Sequence, residues 1–336
     1  MPSETKSLIT KLTTRYIRSL VAKNKQHEAI KAQEEGQKEE KQAGPGNNEV
    51  VEVPKHGIDT RFKNIKSDPP ESSTWSADFV SGKGEGLIFL LHGKPGVGKS
   101  YTAECVAAHT ERPLLSLTCA DIGVDPGKVE KNLEKWFKIA SSWGAIMLID
   151  EADIYMEHRQ VQDLARNNLV AGFLRALEYY QGILFLTTNR VGTFDEAFIS
   201  RIHIMIHYRP FTNEDRVNVW ENFFGKLEDE QGEEMKILES TRDYVKSDEV
   251  QELEWNGREI RNAFQIAVAL AQTEESRNKK GLIQVKREHI RSTVLMSKTF
   301  KDYLKELYKK DETGRAAMMG NRLDSFEDVE IRSCGG

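Results

Sequence analysis

The sequence predicts an α/β protein in which helices wrap a parallel β-sheet, followed by a smaller helical domain. Two observations support this fold class. Between residues 82 and 209, short β-rich runs alternate with segments of helical periodicity, which is the pattern of successive βαβ units. After Pro210 that pattern ends, and apolar residues recur at helical spacing instead.

Length, charge and cysteine content exclude several classes of protein. The 336 residues are enough for about two domains, and 48 basic against 53 acidic residues give a net charge of −5. The three cysteines include no CxxC pair, which argues against a disulfide framework or a cysteine zinc cluster and favours a reducing compartment. The longest apolar runs fall far short of the ~20 residues of a membrane span. We therefore expect no membrane span and an intracellular protein, cytoplasmic or nuclear.

The chain begins with a basic stretch. Residues 1–26 carry six Lys or Arg against Glu4 alone, and their apolar residues recur at helical spacing, so a basic amphipathic helix is predicted. A mitochondrial presequence has the same composition, so mitochondrial import stays open beside a partner-binding or solvated helix. Residues 27–81 are expected to be a low-complexity linker and a poorly matched lead-in. Residues 27–49 contain too few apolar side chains to form a core, and residues 69–75 are also loop-like.

Each element of the two predicted domains rests on its own pattern. The large domain spans residues 82–209, and its predicted strands are 86–91, 113–117, 145–149, 182–187 and 203–207. The second domain spans residues 210–310, where Trp220 and Phe224 mark one helix and Ile260 and Phe264 another. We expect a small helical bundle without further strands. Residues 311–336 are assigned to a C-terminal tail.

A glycine-rich string directly follows the first predicted strand. Residues 93–100, GKPGVGKS, fit the pattern G-x-x-x-x-G-K-[ST] and precede a predicted helix over 102–108. Glycines let the backbone curl so that its N–H groups face phosphate oxygens, while Lys99 reaches the terminal phosphates and Ser100 ligates magnesium. The predicted nucleotide-binding residues are Gly93, Lys94, Pro95, Gly96, Val97, Gly98, Lys99, Ser100 and Tyr101.

Polar residues follow two further predicted strands. Asp150 and Glu151 come directly after the apolar run 146–149, at the strand end where open α/β sheets place ligand chemistry. Asp150 is predicted to hold magnesium, and Glu151 to polarise a water for attack on the γ-phosphate. A helix N-terminus that favours acids is the alternative explanation. Asn189 follows the strand 182–187 and is predicted to orient the attacking water.

The identity of the nucleotide is inferred from two sets of motifs that the sequence does not contain. The Asn/Thr-Lys-x-Asp string typical of GTPases does not occur. A protein kinase is excluded because the loop is of the Lys-Ser type and no His-Arg-Asp catalytic loop is present. With a GTPase and a protein kinase excluded, ATP hydrolysis is the activity that remains.

Five sequence motifs, in the order in which they occur, resemble those of AAA-type ATPases of the AAA+ superfamily. They are GKPGVGKS (93–100), LIDEAD (148–153), LTTNR (186–190), FDEAFISR (194–201) and WNGREIRN (255–262). The chain looks most similar to fungal proteins in which a single AAA module ends a longer chain. The resemblance covers residues 82–307 and implies a P-loop NTPase fold with a five-stranded parallel sheet and a helical lid. It also implies ATP and Mg²⁺ at their junction and assembly into a ring, usually hexameric.

The resemblance assigns two arginines. Arg201 resembles the arginine finger offered to the neighbouring subunit's γ-phosphate, and Arg258 resembles the sensor arginine of the lid. A surface salt bridge for Arg201 and an ordinary helix-start residue for Arg258 are the alternatives. An arginine supplied in trans can accelerate hydrolysis by ~10³ to 10⁵, which would make turnover depend on assembly.

Three departures from the family pattern bear on function. Arg201 stands where many AAA proteins carry two arginines around a Pro-Gly. Residues 119–127 lack the aromatic-hydrophobic-Gly triplet that grips polypeptide in unfolding rings, so threading through a pore is unsupported. Residues 51–81 do not match the adenine-contacting lead-in of relatives. Truncation or re-splicing of the chain in this region would explain the mismatch.

The leading hypothesis is therefore a ring-forming ATPase that remodels an unidentified macromolecule, expected to be a protein. An ATP-gated interaction module with little turnover is the first alternative. A nucleic-acid remodelling ATPase is the second, but the basic cluster around Lys286 and Arg291 lacks interleaved aromatics, so nucleic acid is disfavoured. His203 and His207 share one face of a predicted strand, which we interpret as strand periodicity rather than a metal site.

Overall fold

The computed structural model describes residues 4–21, 84–158, 163–190, 194–274, 277 and 281–308. Two compact units divide the chain at residue 81. In the described part of the first unit, helix α1 spans residues 4–21, inside the segment predicted to be an amphipathic helix. The predicted linker over 27–81 and the predicted tail over 311–336 lie outside the described residues.

The second unit begins with a five-stranded sheet in the order β2-β3-β4-β1-β5, and every neighbouring pair is parallel. The strands are β1 (Leu87–Gly93), β2 (Leu114–Leu117), β3 (Ile146–Ile149), β4 (Ile183–Thr188) and β5 (Ile204–Tyr208). This confirms the predicted five-stranded parallel α/β fold. Because β3, β4 and β1 are adjacent, the residues that follow them meet at one edge of the sheet.

Helices connect the strands and cover the sheet. They are α2 (Lys99–His109), α3 (Cys119–Ile122), α4 (Val129–Trp143), α5 (Asp153–Met156), α6 (Leu164–Glu178) and α7 (Glu196–Ile199). In α4, Val129, Leu133, Phe137 and Ala140 are buried at helical spacing. The helix ends at Gly144, whose φ of 58° is the left-handed conformation of a glycine cap. The core forms where α4 and α6 pack against buried residues of β3 and β4.

The lid follows β5. It contains α8 (Asn213–Gln231), β6 (Met235–Ile237), α9 (Glu239–Val245), α10 (Asp248–Gln251), α11 (Gly257–Glu274), β7 (Ile283–Val285) and α12 (Arg287–Tyr308). Thr212 caps α8 through a capping box with Asp215. Trp220 and Phe224 of α8 pack with Trp255 and with Phe264 of α11 in a separate aromatic core.

The prediction of a lid without strands was wrong. β6 and β7 pair in parallel over three residues, Met235 to Ile237 with Ile283 to Val285. Such short strands are too brief to show alternation, and they lie far apart in the chain, so periodicity could not detect them. In the described part of the chain, no helix combines the length and apolar character that crossing a bilayer requires.

Candidate nucleotide site

The glycine-rich loop joins the end of β1 to the start of α2. Gly96 has a φ of 73° and Gly98 a φ of 97°, both in the left-handed region where a side chain is strained. Gly98 is also the N-cap of α2, and its carbonyl accepts the first helical hydrogen bond from Thr102 N–H at 3.1 Å. The loop, residues 93–100 and here called the phosphate loop, therefore leads directly into a helix N-terminus, where backbone N–H groups favour anions.

Lys99 lies under the phosphate loop and is only 8% exposed. Its ammonium donates to the carbonyls of Gly93 at 3.0 Å and Lys94 at 2.8 Å. It also donates to Asn189 Oδ1 at 2.8 Å. The structure thus brings together two of the predicted site residues, Lys99 and Asn189, across the neighbouring strands β1 and β4.

Ser100 and Asp150 form the second contact across the sheet edge. The Ser100 hydroxyl donates to Asp150 Oδ1 at 2.9 Å, and the buried Thr187 hydroxyl donates to the same oxygen. A hydroxyl and a carboxylate are the oxygen ligands that Mg²⁺ prefers at 2.0–2.1 Å, and neighbouring ligands of an octahedron are then about 2.9 Å apart. These two residues therefore fit a magnesium ion.

Glu151 is exposed and adopts a φ of 53°, which is uncommon for a residue other than glycine. Its backbone N–H donates to Thr187 Oγ1 at 3.0 Å, so a single hydroxyl contacts both acidic residues. The next carboxylate, Asp153, accepts from the Thr188 hydroxyl, and burial raises the pKa of Asp153 above its ordinary value. Glu151 is thus presented to solvent from a fixed backbone.

The lid contacts the phosphate loop at the first turn of α11. Gly257 N–H donates to Gly96 O at 3.0 Å. Asn256 caps α11 by accepting from the N–H groups of Arg258 and Glu259, both at 3.0 Å, and lies close against Gly96. Arg258, the predicted sensor, is exposed and lies two residues after a lid residue that packs on the phosphate loop.

Arg201 is not brought to this site, and Tyr101 follows Ser100 in the first turn of α2. Arg201 precedes β5, at the opposite end of the strands from the phosphate loop, and five residues of strand correspond to about 16 Å. Its guanidinium pairs with Glu178 and donates to Ala197 O at 2.9 Å. Tyr101 is 66% exposed on α2, and a hydrogen bond with Cys105 raises the pKa of its hydroxyl.

Sequence reasoning missed Thr187, Thr188 and Asn256 as site residues. The two threonines occur in the string LTTNR, but their role depends on which strand lies beside β4. Asn256 directly precedes α11, so an N-cap signal was present, but its position on Gly96 depends on how the lid packs.

The parallel sheet, the glycine-rich loop after its β1 strand and the acidic residues after β3 define the class of P-loop nucleotide-binding proteins. The AAA family model, described as ATPase family associated with various cellular activities, matches residues 89–210. The fungal AAA+ ATPase lid domain matches residues 211–311. The chain belongs to the AAA+ ATPase family.

Similar proteins carry the same family name. The chain is 29% identical over 144 residues to human ATPase family AAA domain-containing protein 3B, which covers 40% of this chain and 22% of the relative. It is 27% identical over 145 residues to human protein 3A, covering 41% and 24%. The matched part thus spans less than a quarter of either relative. The crystal structure of the FIGL-1 AAA domain in complex with ADP aligns with a TM-score of 0.45 at 18% identity, over 62% of this chain and 71% of that one.

Proposed function

We propose that this chain binds Mg²⁺-ATP in the phosphate loop and hydrolyses it to ADP and phosphate. The observation that carries the proposal is the contact of Ser100 Oγ with Asp150 Oδ1 at 2.9 Å. It brings together a hydroxyl from the phosphate loop and the carboxylate that follows β3. The ammonium of Lys99, from the same loop, contacts Asn189 Oδ1. Oxygen ligands next to a cation and a ring of loop amides suit a triphosphate and its metal.

In the proposed reaction, the oxygen of a water attacks the γ-phosphorus and the bond from that phosphorus to the β,γ-bridging oxygen breaks. Glu151 accepts the proton of the attacking water, and Asn189 orients that water. Lys99 binds the terminal phosphates, and Arg258 contacts the γ-phosphate from the lid. Mg²⁺ held by Ser100 and Asp150 would supply positive charge to the phosphate oxygens.

We also propose that hydrolysis depends on ring assembly, with a hexamer as the expected size. Arg201 lies at the far end of the sheet from the phosphate loop of its own chain, so an arginine finger at this position would act on a neighbouring subunit. In one chain, Glu178 holds the Arg201 guanidinium. Assembly would therefore require Arg201 to exchange this partner for the neighbour's γ-phosphate.

The proposed client is a macromolecule, expected to be a protein, remodelled by this ATP-driven ring. The proposed compartment is the cytoplasm or the nucleus, and mitochondrial import through residues 1–26 is the alternative that N-terminal sequencing of the cellular protein would distinguish. An ATP-gated interaction module with little turnover is the second candidate function. The pairing of Arg201 with Glu178 favours it, because an arginine that stays paired cannot stabilise the transition state.

The test compares Glu151→Gln with Lys99→Ala. Glu151→Gln is expected to keep ATP binding and lose turnover, because the amide leaves the phosphate loop unchanged but cannot accept a proton. Lys99→Ala is expected to lose binding. Parental turnover in Glu151→Gln would contradict the role of Glu151 as the base.

Protein concentration separates the two candidate functions. A finger supplied in trans predicts that phosphate release per chain rises with concentration and that Arg201→Ala abolishes this rise. Background release at every concentration, with ATP binding intact, would instead favour the gated module. Ring size is measured on ATP-loaded Glu151→Gln by analytical ultracentrifugation, and the same variant captures clients from cell extract.

A further inference from the structure

Two histidines from neighbouring strands face each other beside the candidate nucleotide site. β1 and β5 pair in parallel with His92 opposite His207. The two Nδ1 atoms are 3.3 Å apart, and the ring centroids are 4.9 Å apart with the planes tilted by 38°. Neither residue belongs to the proposed ATPase machinery, so the pair needs a separate explanation.

The separation of the two nitrogens suits a shared metal ion. Zn²⁺ binds histidine nitrogen at about 2.0–2.1 Å in a tetrahedral shell, so two such ligands lie about 3.3 Å apart. The two Nδ1 atoms, 3.3 Å apart, are closer together than the ring centroids at 4.9 Å, so each nitrogen lies on the side of its ring that faces the other ring. We propose that His92 and His207 form a binding site for a divalent transition metal, with Zn²⁺ as the preferred ion.

An ion can reach the histidine pair from solvent, because His207 is exposed and His92 is only partly buried.

The same surroundings set the selectivity and the strength of the site. Imidazole nitrogen favours zinc, copper and nickel, whereas Mg²⁺ favours oxygen, so magnesium at the nucleotide site would not compete for the histidines. In the described part of the chain, His, Cys, Asp and Glu side chains do not assemble into a metal cluster of three or more. Water therefore completes the shell, and the positive charge of Lys99 weakens binding further. The site is accordingly an exchangeable one rather than a permanent structural centre.

A metal at this position would connect an edge strand to the strand that leads into the phosphate loop. β5 is the last strand of the sheet, and β1 runs into the loop one residue after His92. Bridging His92 and His207 would fix β5 to β1 at the base of that loop. This inference goes beyond ATP hydrolysis and does not depend on it.

The test measures binding of the metal alone to the full chain without nucleotide. Zn²⁺ affinity is determined by competition with a chromophoric chelator, and Co²⁺ reports the ligands by its visible spectrum. His92→Gln and His207→Ala are each expected to weaken Zn²⁺ binding about tenfold or more, since even the loss of a residue supporting a ligand costs 10- to 100-fold. His109→Gln is the matched control, because His109 is an exposed histidine of α2 outside the pair. It is expected to keep parental affinity.

The outcomes are distinct. Parental Zn²⁺ affinity in both pair variants would overturn the proposal and leave the 3.3 Å contact as a hydrogen bond between two rings. Thiolate-to-cobalt charge transfer, unchanged in both pair variants, would overturn it by showing that a cysteine binds the ion. A selective loss in both pair variants, with circular dichroism unchanged and His109→Gln unaffected, would establish the site. His207→Ala keeps the test decisive if His92→Gln fails to fold, because His207 is exposed on an edge strand.

Discussion

Replacement of Thr187 by valine should disturb the positions of the acidic residues Asp150 and Glu151 while leaving the rest of the fold unchanged. Valine has nearly the shape of threonine, and Thr187 is only 1% exposed, so the change removes a hydroxyl without opening a cavity. Two hydrogen bonds are lost: the one donated to Asp150 Oδ1, and the one accepted from Glu151 N–H at 3.0 Å.

The expected magnitudes follow from these two bonds. A hydrogen bond to a charged group contributes about 1.5–3 kcal/mol, and an unsatisfied backbone N–H costs about 1–3 kcal/mol. Because neighbouring effects do not simply add, we expect the free energy of unfolding to fall by about 3 kcal/mol. A displacement of catalytic groups by about 1 Å can lower turnover about 100-fold. ATP affinity should change by no more than about threefold, since Lys99 and the loop amides are untouched.

The assay combines urea unfolding, calorimetric ATP binding and steady-state phosphate release. Thr187→Ser should restore turnover, because serine supplies the same hydroxyl. Thr241→Val is the matched control: this lid threonine is fully buried and donates to Val285 O at 3.0 Å, away from the acidic residues. If Thr241→Val loses as much turnover as Thr187→Val, the effect is one of general stability and the reasoning about Thr187 fails.

Three further perturbations have defined outcomes. Lys99→Ala should weaken Mg²⁺-ATP binding about 100-fold, measured by calorimetry, because charge-assisted bonds to phosphate are lost. Parental affinity would contradict the site. Gly96→Ala places a Cβ 2.4 Å from Asn256 Oδ1 at a residue in the left-handed conformation, and it should lower the free energy of unfolding by about 1–2 kcal/mol. Gly225→Ala, in open space within α8, should instead raise the free energy of unfolding by about 0.5–1 kcal/mol. The lowered pKa of His92 means that the unfolded chain binds more protons between pH 6.5 and about 4, so stability falls as pH falls through that window. His92→Gln, compared in chelator by thermal unfolding, should show a smaller fall, and equal falls would refute the assignment.

The predictable part of the site is the part encoded by contiguous residues. The motif at 93–100 could be predicted because its glycines, Lys99 and Ser100 act within one turn between a strand and a helix. Asp150 and Glu151 could likewise be predicted because they directly follow an apolar run. The same holds for the strands of the large domain, each of which was predicted to within about two residues, the ordinary uncertainty of element boundaries.

The rest of the site depends on which elements become neighbours. Thr187 contacts Asp150 only because β3 and β4 are adjacent in parallel register, 37 residues apart in the chain. His92 and His207 are 115 residues apart and meet only because β5 joins the sheet beside β1. Single-sequence periodicity gives the face on which a side chain lies, but not the strand beside it.

The hydrogen bond from Gly257 N–H to Gly96 O means that the lid rests directly on the loop that would hold the nucleotide. Opening the lid would break that bond. Because water then replaces the lost partner, the bond stabilises the closed lid by only about 1 kcal/mol. Gly96 is therefore a point of direct contact between the phosphate loop and the first turn of α11, and this contact joins two backbone groups without any side chain.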